Sequence, residues 1–139
     1  MSDLVVVLYR ESDGSVPVLE WVGHLPKLPQ AKCMKAIERL RTQGRDLPRP
    51  EADYLRDGIY ELRIRFARVN YRLLYFFYGR RVVVVSQGLT KEREVPATEI
   101  DRAVCRKNQF EANPGPHSSR WRIDHGTERG FPRRIRMAL

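Results

Sequence analysis

The chain has little of what most reactive sites are built from. Of its 139 residues, two are cysteine and three are histidine. Cys33 and Cys105 form no Cys-x-x-Cys pair, and His24, His117 and His125 are scattered with no cysteine at ligand spacing, so the usual zinc frameworks are excluded. Both cysteines sit on apolar positions of helix-like segments and are expected to be reduced core residues. His24 is expected at the surface, at a helix end. There is no Walker loop and no Gly-x-Gly-x-x-Gly turn, so the nucleotide-binding cradles are missing. No nucleophile elbow accompanies a Ser-His-Asp set. The longest apolar stretches, such as Val82 to Val85, are strand-sized, and no basic amphipathic helix stands out, which argues against a membrane partner. Met1-Ser2-Asp3 lacks a basic leader region and runs directly into a strand-like segment, so a cytoplasmic protein is expected. No internal repeat is visible. Acidic residues are also in deficit: 17 Asp and Glu face 26 Lys and Arg, for a net charge of +9 and a pI of about 10.1. The expected partner is therefore a polyanion, and nucleic acid before membrane.

The length suggests one domain, and an apolar fraction of 42% is enough for a core. Leu4 to Tyr9 reads as a buried strand and residues 11–15 as a turn around Asp13-Gly14. Val18, Trp21, Val22 and Leu25 have helical spacing, with Ser15 as N-cap and Pro17 in the first turn; Pro26 ends this helix. A longer helix is expected over Leu28 to Gln43, with Gly44 as a left-handed cap. The two helices form a hairpin able to cover one side of a sheet. Arg45 to Asp57, with its prolines, reads as a loop with one helical turn near Tyr54-Leu55. A meander follows: Gly58 to Phe66, Val69 to Tyr78 and Arg81 to Ser86, with turns at Ala67-Arg68 and Gly79-Arg80. The third run is nearly all valine and is expected to be central. Gln87 to Val95 reads as a charged loop. A helix begins at Pro96, with Ile100, Ala103, Val104 and Phe110 inward. The predicted organisation is a domain over residues 1–110 and a basic, Pro/Gly-rich, weakly structured extension over 111–139.

Within the meander, Glu61, Arg63 and Arg65 share one strand face while Leu62, Ile64 and Phe66 share the other. Arg72 lies in the next run, and Lys91 and Arg93 follow the third. Pairing would let these cations converge on a solvent-facing surface able to hold phosphate. Such a set can support RNA cleavage by the 2′-hydroxyl, because guanidinium and ammonium groups stabilise the charge that builds on phosphorus. The base is open: a lysine made less basic by neighbouring arginines, Glu92 and Glu94 are all candidates. On composition alone, a merely solubilising sheet face stands equally beside nucleic-acid binding.

Several strings, in order, resemble the RelE/HigB superfamily of type II toxins, in its phage-derived killer-protein branch. They include Val5-Val-Val-Leu-Tyr-Arg-Glu11, Leu55-Arg-Asp-Gly-Ile-Tyr-Glu-Leu-Arg63, Tyr71-Arg-Leu-Leu-Tyr75, Gly88-Leu-Thr-Lys-Glu92 and Pro96-Ala-Thr-Glu-Ile-Asp-Arg-Ala103, and with weaker matches they span about residues 5 to 110. The resemblance implies a compact α/β (α+β) fold: N-terminal strand, helical hairpin, three-strand antiparallel meander and C-terminal helix. It implies a metal-independent mRNA interferase, without cofactor, that enters the ribosomal A site and cuts translated mRNA. It also implies a cognate antitoxin, expected to be a helix-turn-helix protein through which alone operator DNA would be met. The catalytic positions it points to are Arg63, Arg65, Arg72, Lys91 and Arg93, with Arg68, Arg80, Arg81 and Gln87 as further RNA contacts. The branch usually carries histidine where this chain has Gln87. Glutamine cannot carry a proton at neutral pH, so an attenuated, non-catalytic RNA-binding module is one alternative, and Gln87→His is expected to raise cleavage. A ParE-like gyrase poison on the same scaffold is another.

Overall fold

The computed structural model describes residues 3–90, 93–123 and 135–136. Valine-rich β1 (Val5–Tyr9) starts the fold, followed by α1 (Pro17–Gly23) and α2 (Lys27–Gln43). Strands β2 (Ala52–Arg56), β3 (Ile59–Phe66), β4 (Val69–Tyr78) and β5 (Val82–Thr90) come next, then α3 (Ala97–Ala112) and β6 (Ser118–Arg120). The sheet order is β2-β3-β4-β5-β1-β6. All neighbours are antiparallel except β1 and β5, which run parallel with Val6 beside Val83 and Val7 beside Val84. A separate two-residue pairing joins β7 (Arg122–Ile123) to β8 (Ile135–Arg136). The expected mixed α/β architecture is therefore present, with the sheet larger than the meander alone.

Strand alternation decides the layers. One face presents Val6, Leu8, Leu62, Leu73, Tyr75, Val83 and Val85 to Val18, Val22, Cys33, Ile37 and Leu40 of α1 and α2. The other presents Val7, Tyr9, Ile59, Leu74, Phe76 and Val84 to Ile100, Ala103 and Phe110 of α3. The valines of β5 are thus covered on both sides, as their unbroken run implied. The arginine-bearing face is not open along its length, because α3 covers much of it.

Several local expectations are corrected. Val16, not Ser15, is the N-cap of α1, and it makes no side-chain cap bond; Pro17 does occupy the first turn. Gly44 is not left-handed (φ 12°) but starts a 3-10 turn, Gly44–Asp46. Glycine is required there by crowding, since a Cβ would collide with the Leu4 side chain. The supposed loop before Gly58 contains β2, paired with β3 through Ala52–Leu62, Asp53–Glu61 and Tyr54–Tyr60. Its turn, Asp57-Gly58, has positive φ at both residues (53° and 83°), the backbone of a type I′ hairpin. Strand β5 does not stop at Ser86: a register shift between Leu74 and Tyr75 of β4 leaves Ser86 without an opposite residue, and pairing then continues to Thr90. Cys33 is buried but Cys105 is exposed. Cys105 is five residues beyond Ile100, about 140° around the helix and away from the sheet.

The described part of the extension packs on the domain. Ser118–Arg120 adds an edge strand antiparallel to β1. His117 is buried and stacks on Tyr9 at 5.1 Å, and the Trp121 indole is buried and donates to Glu38 Oε1 at 3.1 Å. Residues 124–134 and 137–139, and with them His125, lie outside the described residues. No helix among the described residues is long and apolar enough to cross a membrane.

Candidate functional site

Register brings the predicted arginines together. Arg63 of β3 stands directly opposite Arg72 of β4, and Arg65 opposite Asn70. Opposite partners in an antiparallel pair share a face, so Arg63 and Arg72 point the same way, as does Glu61, one strand period before Arg63. Strands β2 and β3, the start of α3 and the segment before it enclose a cleft of about 560 Å³. Arg56, Arg63, Arg72 and Arg93 line it together with Asp53, Glu61 and Glu94.

The four arginines are not equivalent. Arg72 is 6% exposed and its Nη1 donates to Glu61 Oε1 at 2.5 Å; Glu61 itself is 2% exposed. Arg72 Nη2 donates to the Arg93 carbonyl. The expectation of a solvent-facing Arg72 is therefore overturned: it is sealed into an ion pair at the cleft floor. The cause is the company it keeps on that face: its cross-strand partner Leu89 and its strand neighbour Leu74 are buried there, and the buried Glu61 carboxylate needs a partner. Arg63 lies higher. Its side chain is 39% exposed, its Nη2 donates to Glu61 Oε2 at 2.8 Å, and Asp53 Oδ2 is 3.6 Å away. The Glu61 hydrogen bond holds the guanidinium more basic than usual, against the opposing effect of burial. Glu61 therefore carries Arg72 on one oxygen and Arg63 on the other, which fixes the spacing of the two cations. Arg56 donates to Asp101 at 2.6 Å and to Asp57 at 2.8 Å. Arg65, Arg68 and Arg93 are exposed. Lys91 lies outside the described residues.

Three further sequence candidates sit elsewhere. Arg80 and Arg81 are exposed at the β4–β5 turn. Strand β4 carries them away from Arg72 at about 3.4 Å per residue, so they are roughly 25 Å from the cleft and share no surface with it. Gln87 is 4% exposed and faces α3. It accepts from Ser86 Oγ and from Arg106 Nη1 at 3.0 Å, and donates to the Glu99 carbonyl at 3.0 Å. Its amide is a buried brace between β5 and α3, not an RNA contact. The side chain reaches that face only because of the bulge at Ser86, which reverses the alternation running through the valines.

Sequence reasoning missed Asp53 and Arg56, which come from the unrecognised strand β2. The Asp57-Gly58 hairpin signal could have found that strand. Among the described residues no three His, Cys, Asp or Glu side chains gather as metal ligands.

Against this geometry stand the comparisons with known proteins. The model for the family described as phage derived protein Gp49-like matches residues 20–108, more than half of the chain. That span takes in the end of α1, all of α2, β2 and the meander, and most of α3, and hence the whole cleft. No curated protein matches the chain.

Proposed function

The chain belongs to the Gp49-like family of phage-derived proteins, a toxin–antitoxin group, and from that premise we propose that it is the toxin of a type II pair, an endoribonuclease of the RelE/HigB kind that cuts mRNA in the ribosomal A site. The observation that carries this reading is the face-sharing of Arg63 and Arg72 around a common carboxylate, Arg72 at the floor and Arg63 at the rim of a cleft open to solvent. Arg63 and Arg93, with Arg65 at the rim, hold the scissile phosphate and stabilise the charge that grows on it as the 2′-hydroxyl attacks. Lys91 belongs to the same set. Glu94, exposed on the cleft wall, is the carboxylate we assign to accept the hydroxyl proton. Arg72 acts as a positioning residue, because it holds Glu61 and the Arg93 carbonyl. The toxin unit is residues 1–110, with Ser118–Trp121 clasping it from outside. Its partners are ribosome-bound mRNA in the cytoplasm and a cognate antitoxin that covers the cleft; operator DNA is reached through that antitoxin.

The sealed Arg72 and the inward Gln87 favour a second reading, an RNA-binding toxin that stalls translation without cutting. Induced expression in a growing bacterium separates the two. Cutting stops growth and leaves new 5′-hydroxyl mRNA ends within codons, and Arg65→Ala with Arg93→Ala removes them. Growth arrest without new ends selects the non-cutting reading, and DNA damage without RNA ends selects a gyrase poison.

A further inference from the structure

On the sheet face opposite the cleft, beside the same edge strand, lies a second cavity of about 300 Å³. Its walls are aromatic and cationic: Tyr54, Tyr60, Tyr75 and Phe77, with Arg45 and Arg49. The rings form one connected set. Tyr60 stands edge-on to Tyr54 at 5.0 Å and to Phe77 at 5.3 Å, and stacks on Tyr75 at 5.5 Å. The Arg45 guanidinium lies 4.0 Å from the centre of the Phe77 ring. Two features set this apart from ordinary core. Tyr54 is 53% exposed yet held still, because the Gly58 amide donates to its hydroxyl at 3.0 Å. Tyr75 is almost fully buried as a residue, and it lines the cavity wall. A phenol in a cavity wall can both donate to and accept from a polar group that enters.

We propose that this cavity is a nucleobase pocket, which receives an unstacked base of the same RNA strand whose phosphate sits in the cleft. The chemistry matches the class: flat rings and guanidinium planes stack on bases of any identity, and the Tyr75 hydroxyl can bond to a base edge. A protein partner's apolar side chain would not require two arginines at the pocket, whereas a strand that carries a phosphate with every base does. The connection to the cleft is short. Asp53 borders both cavities, 3.5 Å from Arg49 Nε on one side and 3.6 Å from Arg63 Nη2 on the other. Strand β2 is the sheet edge, so RNA can pass around it without crossing the sheet. Beyond the pocket, Arg45 Nη2 donates to the Gly79 carbonyl at 2.7 Å, which places the Arg80-Arg81 turn next along the same path. Those two arginines, remote from the cleft, thereby acquire a role.

The inference rests on the RNA-directed reading above, and the test keeps the two apart. Aromatic NMR signals of the full chain are followed with each ribonucleoside 5′-monophosphate, with ribose 5-phosphate, and with the purified antitoxin. The Tyr54 and Tyr60 rings are expected to move with the nucleotides and to stay still with ribose 5-phosphate. In parallel, Tyr54→Ala is expected to weaken binding of a short single-stranded RNA by at least about fivefold, measured at a temperature where thermal unfolding shows the variant folded. Equal response to ribose 5-phosphate, or ring shifts with antitoxin alone, overturns the pocket. If Arg65→Ala weakens RNA binding while Tyr54→Ala does not, the pocket is wrong and the RNA reading stands. If neither variant weakens it, the RNA reading fails with the pocket.

Discussion

Replacing Arg72 by alanine should destabilise this protein markedly before it says anything about catalysis. Glu61 is 2% exposed and shares its two oxygens between Arg72 at 2.5 Å and Arg63 at 2.8 Å. Removing Arg72 leaves a buried carboxylate with one half-exposed partner, and also removes the donor to the Arg93 carbonyl. Breaking a buried pair from one side costs about 3–5 kcal/mol. Arg63 remains in place, so the lower end applies, about 3 kcal/mol, or roughly 10 °C in Tm for a domain of this size. That is a large share of a total stability of about 5–15 kcal/mol. Urea unfolding measures it through the midpoint at constant m. The companion variant Glu61→Leu/Arg72→Met removes both charges at similar volume and is expected to recover to within about 1 kcal/mol of the parent, since a buried ion pair gains little over apolar packing. A loss below about 1 kcal/mol in Arg72→Ala, or no recovery in the double variant, refutes the reasoning. Loss of toxicity in Arg72→Ala is therefore interpretable only beside a measured folded fraction.

Gln87→His should leave cleavage no higher than in the parent and lower stability by about 1–3 kcal/mol, because an imidazole cannot meet Ser86, Arg106 and Glu99 together; single-turnover cutting on programmed ribosomes and a urea curve check both halves. Gly88→Ala should cost about 1–3 kcal/mol and shift the Trp21 emission, since a Cβ there falls into the Trp21 ring. An alkylating reagent at pH 8 should label Cys105 and spare Cys33, whose thiol is pushed up to about 12 by burial. Between about pH 9 and 12 the unfolded chain releases that proton and the folded chain keeps it, so stability should fall as pH rises across that window. The double variant Arg80→Ala/Arg81→Ala should reduce the salt slope of single-stranded RNA binding by about 1.4, near 0.7 per lost phosphate contact; an unchanged slope argues that the β4–β5 turn stays clear of RNA.

The legible parts of the sequence were those where one period ran unbroken. Leu62, Ile64 and Phe66 alternating with Glu61, Arg63 and Arg65 placed β3 and its faces correctly, and the helical spacing of Ile100, Ala103 and Phe110 placed α3. What escaped was wherever two signals competed. Two prolines and a run of charges masked β2, though Asp57-Gly58 marks its hairpin. The polar run after the valines hid the second half of β5, because a bulge shifts the alternation without leaving a compositional mark. In the tail, Trp121 is a lone apolar residue among Arg, Ser and His, and no periodicity could show that it docks on α2. Strand alternation gives the side of a residue but not its depth. It put Arg72 with Arg63, and only the packing of α3 and β5 decided that one is floor and the other rim. Glu61 on the same face was the available clue, since a carboxylate among arginines at strand spacing implies a pair.

That difference in depth also divides the labour of the positive charge. Within the cleft, Arg56, Arg63, Arg72 and Arg93 face Asp53, Glu61 and Glu94, so most of the cationic charge is already compensated. A nearly balanced cleft cannot supply the long-range attraction that a net charge of +9 implies. Among the described residues, exposed arginines outside the ion pairs given above contribute to that attraction, Arg65 and Arg68 at one end of the sheet and Arg80 and Arg81 at the other. The cleft instead offers fixed geometry: Glu61 holds two guanidinium groups at a set spacing, and a phosphate that enters meets donors already oriented. Under the proposed function, charge on the rim would bring a polyanion to the sheet from any approach, and the paired floor would discriminate among the ways it can lie there. On that proposal, a surface with the same net charge but no buried carboxylate would attract RNA as strongly and would hold no phosphate in one place.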